Sequence, residues 1–227
     1  MKQPALESEA IRIAAKMEAE IQSLPVRNTS TIRAVRRQFS QILKDAPSEL
    51  VFLLATHLCK DDNTRWLVYE LIRGHPAAFA RLGPAELQDL GQGIDSWWTV
   101  DSFARTLSGP AWLHRQVPDR LILQWARSND RWWRRAALVS TVALNVRSQG
   151  GQGDVPRTLR VCRLLAGDQD DMVAKALSWA LRELVVHDPV AVKEFLEKYE
   201  KVLPALVRRE VKNKLETGLK NPPQRRH

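Results

Sequence analysis

Little in this sequence invites crosslinking or metal binding. Cysteine occurs twice, at Cys59 and Cys162, too few and too far apart for a disulfide framework or a thiolate metal site, so the two read as buried thiols in a reducing compartment. Met1 to Glu7 lacks a basic segment followed by an apolar run, and no stretch is long enough to span a bilayer. Both absences predict a cytoplasmic protein without a membrane partner. The five histidines, His57, His75, His114, His187 and His227, form no HExxH, zinc-deaminase or triad-like pattern, and no serine or cysteine stands in a nucleophile context. The glycine-rich stretch RSQGGQGDVPR, Arg147 to Arg157, has no Gly-Lys-Ser/Thr and carries a proline instead. It reads as a mobile surface loop, not a phosphate loop. Alternating strand patterns are nearly absent as well, which removes sheet-based folds.

What is present is a globular composition with an excess of one charge. Of 227 residues, 44% are hydrophobic and 27% charged, enough for a packed core. Lys+Arg number 35 against 26 Asp+Glu, a net charge of +9, and the pI is near 9.9. That balance favours a polyanion such as nucleic acid or an anionic surface.

Apolar residues recur at helical spacing almost throughout, so the expected fold class is all-α. Residues 5–23 carry Ile13, Met17, Ile21 and Leu24 on one stripe, and residues 30–44 carry Ile32, Val35, Phe39, Ile42 and Leu43 behind an N-cap at Thr29 and Ser30. The pattern predicts further helices over 47–59, 62–73, 84–91, 96–108, 117–127, 130–147, 155–166, 170–186, 188–200 and 204–217. Breaks fall at Pro25, Gly74–Pro76, Gly83–Pro84, Gly109–Pro110, Pro118, Gly150–Pro156, Gly167 and Pro189. Helical pairs of roughly 35–45 residues match the period of HEAT and armadillo units, which points to a HEAT-like helical-repeat solenoid of divergent repeats. Residues 1–220 are read as a single domain and 221–227 as a frayed tail.

Three helices carry residues that a core pattern does not explain. On 96–108, Val100, Phe103, Ala104 and Leu107 make the core stripe; Trp97 and Asp101 lie together at its edge, and Trp98 points away. Asp101 either pairs with Arg105 at i+4 while the indoles pack on a neighbouring helix, or serves a ligand. On 170–186 the buried stripe is Val173, Ala176, Leu177, Ala180, Leu181 and Leu184, and Trp179 falls about 130° from its centre, beside Lys175 and Arg182. A tryptophan between two cations on an outward face is explained by a ligand, a partner or a neighbouring repeat. On 130–147, Arg135 projects toward Val139, Val142 and Val146, which implies an anion partner, either a protein carboxylate or a phosphate. Arg33, Arg36 and Arg37 share a face of the second helix and suit a phosphate backbone.

The segments SWWTVDS (96–102), RWWRRAAL (131–138) and VAKALSWALREL (173–184) resemble, in order and approximate separation, signature stretches of the AlkD family of DNA alkylation repair proteins. The similarity is strongest over about 85–215. The resemblance implies HEAT-like repeats forming a basic concave cradle for double-stranded DNA with alkylated bases. It further implies a DNA glycosylase that excises cationic alkylated purines of the 7-methylguanine and 3-methyladenine type, as a monomer and with no cofactor. Its catalytic aspartate would be Asp101, its paired tryptophans Trp97 and Trp179, and its DNA-gripping arginine Arg135. The chain departs from the family at LPVRNTSTIR (24–33), where a Gly-aliphatic-x-x-Pro turn is common, and at the first helix, which lacks a frequent tyrosine.

Those residue types suit the chemistry. A ring-alkylated purine is a cationic leaving group, and its departure develops an oxocarbenium-like sugar. A carboxylate and electron-rich indole faces both stabilise positive charge. Two other readings compete: a non-catalytic HEAT-repeat protein that binds damaged or branched DNA, and a protein-binding scaffold.

Overall fold

A computed structural model describes residues 3–60 and 62–223, with the backbone alone at 62 and 63. All regular structure among these residues is helical, as the periodicity predicts. Contacts group the chain into two units, Met1–Gly93 and Ile94–His227, where the sequence suggests one domain. Of the expected frayed tail, residues 224–227 lie outside the described residues.

The first unit holds α1 (Gln3–Gln22), α2 (Thr29–Ile42), α3 (Ser48–Leu58), α4 (Asp62–Gly74), α5 (Pro76–Ala80) and α6 (Pro84–Leu90). Helix α1 lies on α3, and α4 packs against both α2 and α3. The α1 stripe of Ile13, Met17 and Ile21 is buried as expected, while Leu24 lies beyond the helix end. The N-cap of α2 is Asn28, not Thr29 or Ser30. Its extended backbone lets Oδ1 accept the Ser30 and Thr31 N–H groups at 2.9 and 3.0 Å, and Thr29 is already helical. The break expected at Gly74–Pro76 hides α5. His75 caps it through Nδ1, which accepts the Ala78 N–H at 3.0 Å, while Nε2 donates to the Ala46 carbonyl at 3.0 Å.

The second unit holds α7 (Trp97–Phe103), a π-helical turn (Ala104–Ser108), α8 (Gly109–Leu113), α9 (Asp119–Trp125), α10 (Arg131–Ser140), α11 (Val142–Asn145), α12 (Val155–Leu164), α13 (Asp171–Val185), α14 (Pro189–Tyr199) and α15 (Ala205–Thr217). Helix α13 packs against α10 and α15, and α10 also packs on α7. The predicted α13 stripe from Val173 to Leu184 is wholly inaccessible. One face of that helix therefore builds the core, and the remainder is left to carry Lys175 and Trp179.

Two expectations yield to packing. The chain does not break at Gly109–Pro110 but runs as helix from Trp97 to Leu113. In an α-helix the Pro110 ring would strike the Thr106 carbonyl; instead the Gly109 N–H reaches five residues back to Ala104 and widens the turn. A side chain at Gly109 would lie 2.8 Å from the Ala104 carbonyl oxygen and 2.9 Å from the Ala143 Cβ. The glycine-rich stretch, expected as a mobile loop, is stitched down. Gly151 N–H bonds Val146 O at 3.1 Å and Gly153 N–H bonds Leu144 O at 3.0 Å. Gly151 is buried against the Ala143 carbonyl, and Gly153, with φ of +91°, sits under the His187 ring. Of the two thiols expected to be buried, Cys162 is, and burial pushes its pKa up to about 12; Cys59 is half-buried.

Candidate active site

Helix α7 starts at Ser96, whose N–H donates to Thr99 Oγ1 at 3.3 Å while the two hydroxyls meet at 2.8 Å. That start sets Trp97 and Asp101 one turn apart on the same face. The Asp101 carboxylate meets a fork of donors: Arg135 Nε to Oδ1 and Nη2 to Oδ2, both 2.8 Å. The remaining nitrogen, Nη1, donates to the Met172 carbonyl in the first turn of α13 at 2.5 Å. Arg135, its side chain 7% exposed, thus joins α7, α10 and α13. Of the two anions open to it, the structure supplies a protein carboxylate, and Asp101 takes Arg135 across 34 residues in preference to Arg105 at i+4. Burial raises the Asp101 pKa above its ordinary value of 3.8; the Arg135 hydrogen bonds and the charges of Arg135 and Arg105 pull it back without cancelling the effect.

Arg105 occupies the π-helical turn and is exposed, its guanidinium 5.4 Å from the centre of the Trp179 ring. Trp179 is half-buried, and its Nε1–H donates to Glu183 Oε1 at 2.8 Å, which fixes the plane of the indole. Asp101, Arg105, Arg135 and Trp179 therefore form one linked cluster. Trp97 stands at its margin, 57% exposed. Trp98, expected to point away from the core, is instead the more buried of the two indoles. Behind the cluster, Trp133 packs on Trp125 and Phe103 with ring centres 4.8 and 6.1 Å apart. The buried Ser108 and Ser140 hydroxyls, 2.7 Å apart, pin the π-helical turn to α10.

The other expected DNA contacts are mostly engaged with carboxylates. Lys175 pairs with Asp171 at 2.6 Å and stays about half exposed. The Arg182 Nε donates to Ser178 Oγ of its own helix at 3.1 Å and lies 3.8 Å from Glu210 of α15. In the first unit, Arg33 and Arg36 both reach Glu70, at 2.7 and 3.2 Å. Arg37 is exposed and has no ion pair among the described residues. Arg105 entered the sequence reading only as a possible counter-ion of Asp101. Its place over Trp179 depends on the π-helical turn, which the Gly109–Pro110 pair marks in sequence only as a break.

A family model described as DNA alkylation repair enzyme matches residues 2–215. The chain belongs to the DNA alkylation repair enzyme family. No curated protein matches it. Membership gives the chain an enzymatic role in DNA alkylation repair, with DNA as the partner. Among the described residues no helix is long and apolar enough to cross a membrane. In this DNA alkylation repair enzyme the cluster offers a fixed, partly desolvated carboxylate and an indole whose face already accepts a cation. Both features stabilise positive charge.

Proposed function

We propose that this enzyme is a monofunctional DNA glycosylase that excises cationic alkylated purines, of the 7-methylguanine and 3-methyladenine type, from duplex DNA. The observation that carries this reading is the Asp101 carboxylate, held rigidly by the Arg135 fork in the same cluster as the Trp179 ring. Each carboxylate oxygen keeps a lone pair beyond the one given to Arg135, enough to face a sugar cation or orient water. Trp97 and Trp179 present electron-rich faces to the sugar as its positive charge grows. Arg135 positions the carboxylate. The lesion is already a good leaving group, so a protonating acid is unnecessary, and a site that stabilises only the sugar cation discriminates against undamaged purines. No cofactor enters this scheme. We read the helices as divergent HEAT-like repeats that contact the duplex through basic side chains, Arg37 in the first unit and Lys175 in the second, with a monomer as the working unit.

The test is release of 7-methylguanine from methylated DNA by the purified protein, with Asp101→Asn sharply lowering release and leaving DNA binding nearly intact. DNA bound with no base released by wild type overturns the reading. That outcome supports a second one, non-catalytic recognition of damaged or branched DNA. It is favoured by the fact that both Asp101 oxygens accept from Arg135, which partly neutralises the carboxylate.

A further inference from the structure

The cations around the site differ in what they hold. Arg131 lies 3.5 Å from Asp170, Arg134 2.7 Å from Asp168, Arg135 2.8 Å from Asp101 and Lys175 2.6 Å from Asp171. Arg105 is exposed, has no ion pair among the described residues, and rests on the Trp179 ring. Its backbone is fixed: its carbonyl accepts from the Gln149 amide at 3.5 Å, and the π-helical turn that carries it is tied to α10 through Ser108 and Ser140. The guanidinium is therefore an available charge on an anchored base.

Its position poses an electrostatic problem. A guanidinium that closes no ion pair, placed near a carboxylate already held by Arg135, opposes the positive charge that the proposed reaction develops on the sugar. In a nucleic acid strand the solution travels with the substrate, because every internal nucleotide carries a phosphate on each side of its sugar. A sugar placed between Asp101 and Trp179 brings a phosphate within reach of a long side chain on the neighbouring turn. A charge-assisted Arg–phosphate pair is stronger than an exposed cation–π contact, so the guanidinium exchanges the ring for the phosphate.

We propose that Arg105 is the phosphate-binding cation of this site, taking the backbone phosphate that flanks the reacting nucleotide. The inference rests on the proposed function, and it moves the phosphate contact from Arg135, whose nitrogens hold Asp101 and Met172, to Arg105.

The experiment measures binding of a fluorescently labelled, unmodified duplex oligonucleotide across a series of salt concentrations. Arg105→Gln, which keeps a planar amide near the ring but removes the charge, is expected to weaken binding. It should also lower the slope of log K against log salt by about 0.9, the value for one phosphate contact. Arg105→Lys is expected to restore the slope, which a merely structural role for Arg105 would leave unmoved. An unchanged slope in Arg105→Gln, with wild type binding normally, overturns this inference and leaves the glycosylase reading standing. Absence of duplex binding by wild type overturns both.

Discussion

The two units use the same three residue types, arginine, tryptophan and carboxylate, with opposite results. In the first unit, Arg33 and Arg36 of α2 converge on Glu70 of α4, and Arg33 also lies over Trp66 at 5.3 Å. One carboxylate is spent on two cations, and the Arg33 side chain is about half exposed. In the second unit one carboxylate has one arginine, that arginine is buried, and a second arginine is diverted to a tryptophan face. The first arrangement is a partly buried network, exposed only at Arg33, that ties two helices together. The second leaves a rigid carboxylate with lone pairs to spare and an available cation nearby. Composition does not separate a scaffold from a site; the ratio of partners and the burial of the arginine do.

The contrast breaks most visibly at the arginines. Arg135→Ala strands the Asp101 charge and the Met172 carbonyl, and should cost about 3–5 kcal/mol in denaturant unfolding, whereas Arg33→Ala should cost no more than about 1 kcal/mol. Comparable losses in the two variants would erase the distinction. Next comes chemistry: single-turnover base release by Asp101→Asn should fall by about 10²–10³-fold, the magnitude typical of removing one preorganised electrostatic partner. A decrease of only a few fold would remove Asp101 from the reaction.

Glycines sharpen the comparison further. A side chain at Gly109 meets the Ala104 carbonyl and Ala143, while one at Gly74 meets nothing within 4 Å. Thermal or denaturant unfolding should show Gly109→Val destabilised by about 1–3 kcal/mol, and Gly74→Ala unchanged or stabilised by up to about 1 kcal/mol. The smallest effect is pH-linked. Because burial raises the Asp101 pKa above 3.8, the folded protein holds that proton more tightly than the unfolded chain does. The resulting stability is fully present below the unfolded value and is lost as pH rises through the folded one. Wild type measured relative to Asp101→Asn should therefore lose stability over that interval, and the acid limb of base release should inflect above 3.8. The opposite slope would mean that Arg135 outweighs burial.

Much of the helical framework was legible in the chain because burial follows a period of 3.6 residues: the stripe from Val173 to Leu184 is inaccessible position by position. Capping was legible in kind but not in place, since Asn28, Thr29 and Ser30 all suit an N-cap and backbone geometry chose Asn28. The Gly109–Pro110 pair signalled a break correctly as chemistry and incorrectly as geometry, because a widened turn absorbs the proline without ending the helix. The glycines at 150–153 looked like freedom and are instead close approaches to α11 and His187.

By itself the sequence determined that the protein is helical, which face of α13 is buried, and that three motifs resembling one family carry tryptophan, with an aspartate in the first and arginines in the other two. Those properties are local, set by spacing along a helix and by residue type. What tertiary structure decided is who holds whom. Arg105 is four residues from Asp101, yet the carboxylate takes Arg135, because the packing of α7 on α10 brings the distant fork into a buried, bidentate fit. The π-helical turn sends the nearer guanidinium to Trp179. An ion pair follows burial and geometry, and neither is written in sequence distance.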